Sequence, residues 1–171
     1  MELMEGLLTR RSVRQYTAQK VEKADITDIV KAGMFAPSAR NQQIWEFVVI
    51  TDKEKLTAIG ERLETAPMAK TAAFGIAVCA ELDRAASPAY WEQDCAAAME
   101  NMLLAVHAKG LGAVWIGMHP NEDRADIVKN ICAIPENIKV HSLLIGGYPE
   151  KPANEAQRFH PEYIHENEWG K

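Results

Sequence analysis

Apolar residues recur at helical spacing in the opening MELMEGLLTRR, where Leu3, Met4, Leu7 and Leu8 share one face. The pattern predicts a short amphipathic helix leading into an extended SVRQY segment, so that the arginines fall at a helix-to-strand junction. Ile26, Ile29, Val30 and Met34 repeat the helical period, which predicts a second helix capped at or just before Asp25 and stopped by Pro37. A polar loop, PSARNQQ, follows. WEFVVI is β-branched and aromatic and reads as a strand, after which Asp52 opens a helix running through Leu63.

AAFGIAVCA is continuous enough in apolar character to be a buried strand with Cys79 in the core. The longest helix is expected from about Pro88 to Lys109, because Ala, Met and Leu dominate there and Gly110 supplies a left-handed terminating residue. Trp91, Met99, Met102 and Leu103 fall at helical spacing within it and read as core. GAVWIG is a short strand, Asn121 caps a helix through Cys132, and KVHSLLIGG is the last strand, with Gly146 and Gly147 read as the start of a turn. The order of elements is therefore mixed, with helices inserted between short strands.

After Tyr148 the pattern changes. PEKPANEAQRFHPEYIHENEWGK carries prolines and charges but almost no aliphatic residues, so it cannot build a core of its own. Its aromatics Phe159, Tyr163 and Trp169 need a surface to bury against, and a second copy of the chain is the natural one. We therefore expect one domain, with residues 1–149 as the core and 150–171 as an extension exchanged between the subunits of a homodimer.

Composition narrows the class of protein. With 171 residues, 47% hydrophobic and 25% charged, the chain matches one soluble globular domain. A net charge of −5 offers no global field for a polyanion, so nucleic acid is excluded as a general partner, and any anion must be held by a local cluster. No apolar run approaches the roughly 18 residues that span a bilayer, and the N-terminus lacks the features of a signal peptide, so no membrane partner and a cytoplasmic location are expected. Cys79, Cys95 and Cys132 are an odd, widely spaced set that fits reduced thiols. The five histidines form no HExxH or HxxxH pattern, and no metal site is expected. A nicotinamide-binding Rossmann fold is disfavoured by the lack of a GxGxxG fingerprint.

One cluster departs from the acidic background. Arg10, Arg11 and Arg14, with Ser12 between them, place three guanidinium groups and a hydroxyl within five residues. Such a group suits a phosphate monoester, although a solvated basic turn is an equal alternative from this segment alone. Read together, RRSVR, APSARNQQ with Trp45 two residues on, GLGAVWIG and IGGYP occur in an order that resembles the nitroreductase family of flavoproteins. The chain departs from that pattern at Gln43-Ile44-Trp45, where many relatives have Pro between the second Gln and the Trp.

The resemblance implies an α+β, sandwich-like nitroreductase fold with a mixed sheet flanked by helices, FMN bound at a dimer interface, and ping-pong reduction by NADH or NADPH of a nitroaromatic, quinone or similar small electron acceptor. It implies that Arg10 and Ser12 hold the FMN phosphate, Arg11 acting mainly through its backbone, with Arg158 adding a second charge there. Arg14 would reach the N1 and C2-carbonyl edge of the isoalloxazine. Pro37, Ser38, Ala39 and Asn41 would line the flavin from the partner subunit, and Ile116 and Gly117 would face the ring near N5. FMN carries the redox chemistry, so no catalytic nucleophile is required of the chain. Alternatives on the same reading are a flavin carrier or redox sensor without turnover, and a reductive dehalogenase or enone reductase on the same scaffold. A domain that binds no flavin, with a merely basic turn, is a third.

Overall fold

The computed structural model describes residues 1–152 and 154–171. Five helices and four strands alternate along them: α1 (Leu3–Thr9), α2 (Lys23–Met34), β1 (Trp45–Ile50), α3 (Lys53–Arg62), β2 (Phe74–Glu81), α4 (Trp91–Ala108), β3 (Gly112–Gly117), α5 (Glu122–Cys132) and β4 (Ile138–Gly147). The local signals account for most boundaries. Asp52 accepts hydrogen bonds from the Glu54 and Lys55 amides at the start of α3, and Asn121 accepts one from Arg124 at the start of α5. Gly110 closes the end of α4 with φ +71°.

The strands form one sheet in the order β1-β2-β4-β3, and every neighbouring pair runs antiparallel. This corrects the expected mixed sheet. β2 and β3 do run the same way, as a strand-helix-strand crossover through α4 dictates, but β4 inserts between them and pairs antiparallel with both. The one parallel contact of the described residues is a single bridge from Ser12 to Ala113 at the edge of β3.

Helices cover both faces of the sheet. On one, Leu56 and Ile59 of α3 and Ala125 and Val128 of α5 pack against Ile50, Val114, Leu143 and Ile145. On the other, Ile26 and Ile29 of α2 and Met99, Met102 and Leu103 of α4 pack against Phe74, Ile76, Val78 and Leu144. β2 is buried on both sides, which is why its sequence is apolar without alternation. Trp91, Met99, Met102 and Leu103 are core residues as expected. Cys79 and Cys95 are free, buried thiols whose pKa burial pushes up to about 12.

Two features depart from the sequence reading. Gly146 and Gly147 lie within β4 rather than in a turn, and a Cβ at Gly146 would come within 2.6 Å of the Phe74 ring. The apolar face of α1 also finds no core: Leu3 is 72% exposed, Met4, Leu7 and Leu8 are likewise exposed, and Gly6 is the buried residue of that helix. In the tail, Phe159, Tyr163 and Trp169 are all exposed, Trp169 by 90%. Among the described residues no helix is long and apolar enough to cross a membrane.

Candidate functional site

The arginine segment is tied down at three points. The Val13 amide donates to the Ala113 carbonyl at 2.9 Å, the Thr17 amide to Tyr148 at 2.9 Å and the Glu150 amide to Gln15 at 3.0 Å. The buried Tyr16 phenol lies 2.8 Å from the Ile145 carbonyl and 2.5 Å from that of Val13. Gly112 makes this approach possible, because a Cβ there would stand 2.7 Å from Val13. Residues 12–17 are thereby laid between the start of β3 and the chain leaving β4.

That placement builds an open cleft of about 760 Å³ lined by residues 11–15, Lys151, Pro152, Asn154 and Arg158. Its charged residues are Arg11, Arg14, Lys151 and Arg158, with no carboxylate among the lining. Arg14 and Ser12 are exposed, and neither Arg14 nor Arg158 has a side-chain hydrogen bond or ion pair among the described residues. The Arg11 guanidinium folds back to donate to the carbonyls of Leu8 at 2.8 Å and Arg10 at 2.7 Å, and reaches Asn154 in the tail at 3.1 Å. It satisfies the C-terminal carbonyls of α1. Lys151 escaped the sequence reading: it belongs to this cleft only because Gln15 and Glu150 are hydrogen-bonded across 135 positions of chain, a pairing that no local pattern encodes.

Arg10 turns away from its neighbours. It pairs with Glu100 of α4 at 3.4 Å and lines an adjoining pocket of about 350 Å³ together with Arg11, Val13, Lys151 and Pro152, which also border the cationic cleft. One residue earlier, Thr9 bonds His107 of α4 at 2.8 Å. The arginine end of the site thus rests on the second half of α4.

The first turn of α4 holds a different part. Pro37, Ser38, Ala39 and Asn41 do not line the cationic cleft; their loop sits on Asp94, whose carboxylate accepts the Ala39 amide at 2.8 Å and the Gln42 side-chain amide at 2.6 Å. Arg40, Asn41 and Gln43 all adopt positive φ, 53°, 54° and 46°. Non-glycine residues in that region store strain of roughly 1 kcal/mol or more each and persist only where the surroundings impose them. Ile44, between Gln43 and Trp45, is fully buried in the α2–α4 core.

Ile116 and Gly117 end β3, the edge strand. The Ile116 side chain points into the α3–α5 core, leaving its backbone at the edge, whereas Gly117 is exposed with open space where a Cβ would be. Ser12 is bridged to Ala113, four residues before Gly117, so the two ends are about 13 Å apart at the usual rise of a strand. Beyond Gly117 lies a group that the sequence reading did not assemble. His119 pairs with Glu92 at 3.1 Å, Trp91 meets the rings of His119 and His141 edge-on at 4.8 and 5.8 Å, and His141 bonds Ser142 at 2.9 Å. Burial and the neighbouring His119 hold the His141 imidazole down at about 4, hence neutral. Among the described residues no three His, Cys, Asp or Glu side chains converge as a metal site.

The arrangement offers a cationic end, an exposed strand edge and a strained polar loop, all carried by β3 and α4. A sequence profile described as the nitroreductase family matches residues 7–81 and 60–148. The chain is 42% identical over 172 aligned residues, 98% of its own length and 99% of the other's, to an Archaeoglobus fulgidus protein provisionally named an NADH dehydrogenase/NAD(P)H nitroreductase. A Parabacteroides distasonis structure of the same provisional name superposes with TM-score 0.92 at 37% identity, covering 97% of this chain and 98% of that one. A nitroreductase from Desulfovibrio desulfuricans, also provisionally named and solved in complex with FMN, superposes with TM-score 0.87 at 26% identity over 99% and 98% of the two chains.

Proposed function

The chain belongs to the nitroreductase family of oxidoreductases, and from that premise we propose that it is a homodimeric, FMN-dependent NAD(P)H oxidoreductase that passes electrons in ping-pong fashion to a nitroaromatic, quinone or similar small acceptor. The observation that carries the reading is the cleft in which Arg11, Arg14, Lys151 and Arg158 gather around Ser12 with no carboxylate in the lining of a protein whose net charge is −5. Four like charges repel one another, and such a group gains most from an anion carrying about two charges and several acceptor oxygens.

FMN supplies the two-electron chemistry when bound, and the residues of this chain orient it and set its electrostatic surroundings. Ser12 and Arg158 hold the phosphate, with Arg10 steadying the segment from its seat on Glu100. The edge of β3, from Ser12 to Gly117, would then run beside the rest of the cofactor. Arg14 places positive charge at the N1 and O2 side, where electron density rises on reduction. The backbone at Ile116 and Gly117 approaches N5, with no side chain at Gly117 to obstruct it. Ser38, Ala39 and Asn41, with Pro37, form the lip supplied by the second copy.

The dimer is supported by the exposed apolar face of α1 and the exposed tail aromatics, which a second copy would cover. The test is an absorbance spectrum of purified protein before and after anaerobic NADH and NADPH. A flavin spectrum bleached by either donor is expected. A colourless protein that takes up no FMN overturns the reading, and a yellow protein that neither donor bleaches makes it a flavin carrier instead.

A further inference from the structure

Asp94 is a buried carboxylate, 4% exposed, on the first turn of a helix that is otherwise packed with alanine, methionine and leucine. Nothing in the packing of the core asks for it. Both of its oxygens are used on a single loop: Oδ1 accepts the Ala39 amide at 2.8 Å and Oδ2 accepts Nε2 of Gln42 at 2.6 Å. The Gln42 side chain is in turn clamped by Ser87, whose amide donates to Oε1 at 2.9 Å and whose carbonyl lies 3.3 Å from Nε2. Ser38 Oγ accepts the Gln43 amide at 3.1 Å and closes the other side.

Between these fixed points, Arg40, Asn41 and Gln43 are held left-handed. A relaxed chain would release them, so the shape of the loop is imposed by the anchors at its base. We propose that Asp94 is a positioning residue for the flavin-binding lip, setting through Ala39 and Gln42 the presentation of Ser38, Ala39 and Asn41 to the cofactor. The proposal rests on the functional reading above. It follows from an asymmetry of chemistry: a carboxylate only accepts, and the loop offers it two donors. An amide of the same shape must turn its NH2 toward one of them, leaving that donor unsatisfied in a dry place.

This asymmetry supplies the test. Asp94→Asn keeps the volume and breaks the pairing, while Asp94→Asn combined with Gln42→Glu reverses donor and acceptor and restores the contact between positions 94 and 42, although the new carboxylate then faces the Ser87 carbonyl. In the holoprotein, the Kd for FMN by fluorescence quenching and the visible circular dichroism of the bound flavin are compared with far-ultraviolet dichroism of the fold. Asp94→Asn is expected to weaken FMN binding at least tenfold and to alter the flavin dichroism with the fold intact. The double variant should recover part of the loss.

Should Asp94→Asn fail to fold, Gln42→Met, which removes only the side-chain amide, is expected to give the same loss. Unchanged FMN affinity and dichroism in a folded Asp94→Asn, or a double variant no better than the single, overturns the proposal. An Arg14→Gln, Arg158→Gln control run alongside separates the two ideas. If that control loses FMN and Asp94→Asn does not, the lip is wrong and the cofactor reading stands. If wild-type protein takes up no FMN, the cofactor reading falls and the lip falls with it.

Discussion

The ring of Phe74 lies over Gly146, its cross-strand partner in β2 and β4, so closely that a methyl group on the glycine would stand 2.6 Å from the ring's Cζ. Phe74 is fully buried and cannot swing into solvent. Gly146→Ala is therefore an overpacking substitution, expected to cost about 1–3 kcal/mol and to lower the melting temperature by roughly 3–10 °C. Combining it with Phe74→Leu should return part of that loss relative to the sum of the two single changes, as a double-mutant cycle by thermal melting would reveal. Additive effects would mean that the contact is not the cause.

That contact also marks what could be read along the chain and what could not. Wherever the signal was periodic and local, as in WEFVVI, in the Asp52 cap or in the Gly110 terminator, the element was legible because a few neighbouring residues determine it. Gly146 looked like a turn residue because the reason for its small size is Phe74, far away in sequence. Strand direction was hidden for a related cause: a crossover through α4 aligns β2 with β3, and only the insertion of β4 between them makes all neighbours antiparallel. The arginines of the cleft were legible as a cluster, but Lys151 and the Asp94 anchor belong to their sites through long-range pairing. The outward face of α1 had a correct helical period and no partner within the protomer.

Arg14 is exposed beside Lys151 and Arg158 without a carboxylate in the lining of the cleft. If it faces the N1 side of FMN, its charge favours the form with more negative charge, and Arg14→Gln lowers the reduction potential of the bound flavin. A loss of about 1.5 kcal/mol in one charge-assisted contact corresponds to about 30 mV for a two-electron couple. If Arg158 holds the phosphate, Arg158→Gln should weaken binding with little change in potential. Equilibrium titration against a reference dye distinguishes them, and equal potentials in wild type and Arg14→Gln would remove the role assigned to that residue.

His141 makes stability depend on pH. Burial, and then the charge of His119, hold its pKa at about 4 against 6.5 for a free imidazole, with Glu92 acting in the opposite direction. The unfolded chain therefore binds a proton between pH 6.5 and 4 that the native state refuses, so stability is full above about pH 6.5 and is lost as pH falls through that window. The side chain is partly exposed, and solvent screening brings the contribution down to about 1–2 kcal/mol. His141→Phe keeps an aromatic ring against Trp91 and Trp115 without titrating. Urea unfolding at pH 7 and pH 4.5 should show the wild type losing about 1–2 kcal/mol more than the variant, and parallel losses would assign the acid sensitivity elsewhere.

The tail carries the dimer hypothesis. Phe159, Tyr163, Ile164 and Trp169 are exposed along a segment with one short 3-10 turn, Pro161–Tyr163, while Arg158 in the same segment lines the cationic cleft. Burying an aromatic side chain contributes about 1.5–3 kcal/mol, so seating these residues on a second copy would offset the ordering cost of the extension and fix Arg158 at its site. Deleting residues 150–171 removes Lys151 and Arg158 along with the aromatics. The truncated chain is expected to elute smaller than the full chain in size-exclusion chromatography with light scattering, and to bind FMN at least tenfold more weakly. Phe159→Ser with Trp169→Ser leaves both cations in place and tests the apolar part by itself: a weakened dimer with impaired FMN binding is expected. A doubly substituted protein with unchanged mass and flavin content would show that the tail does not hold the subunits together.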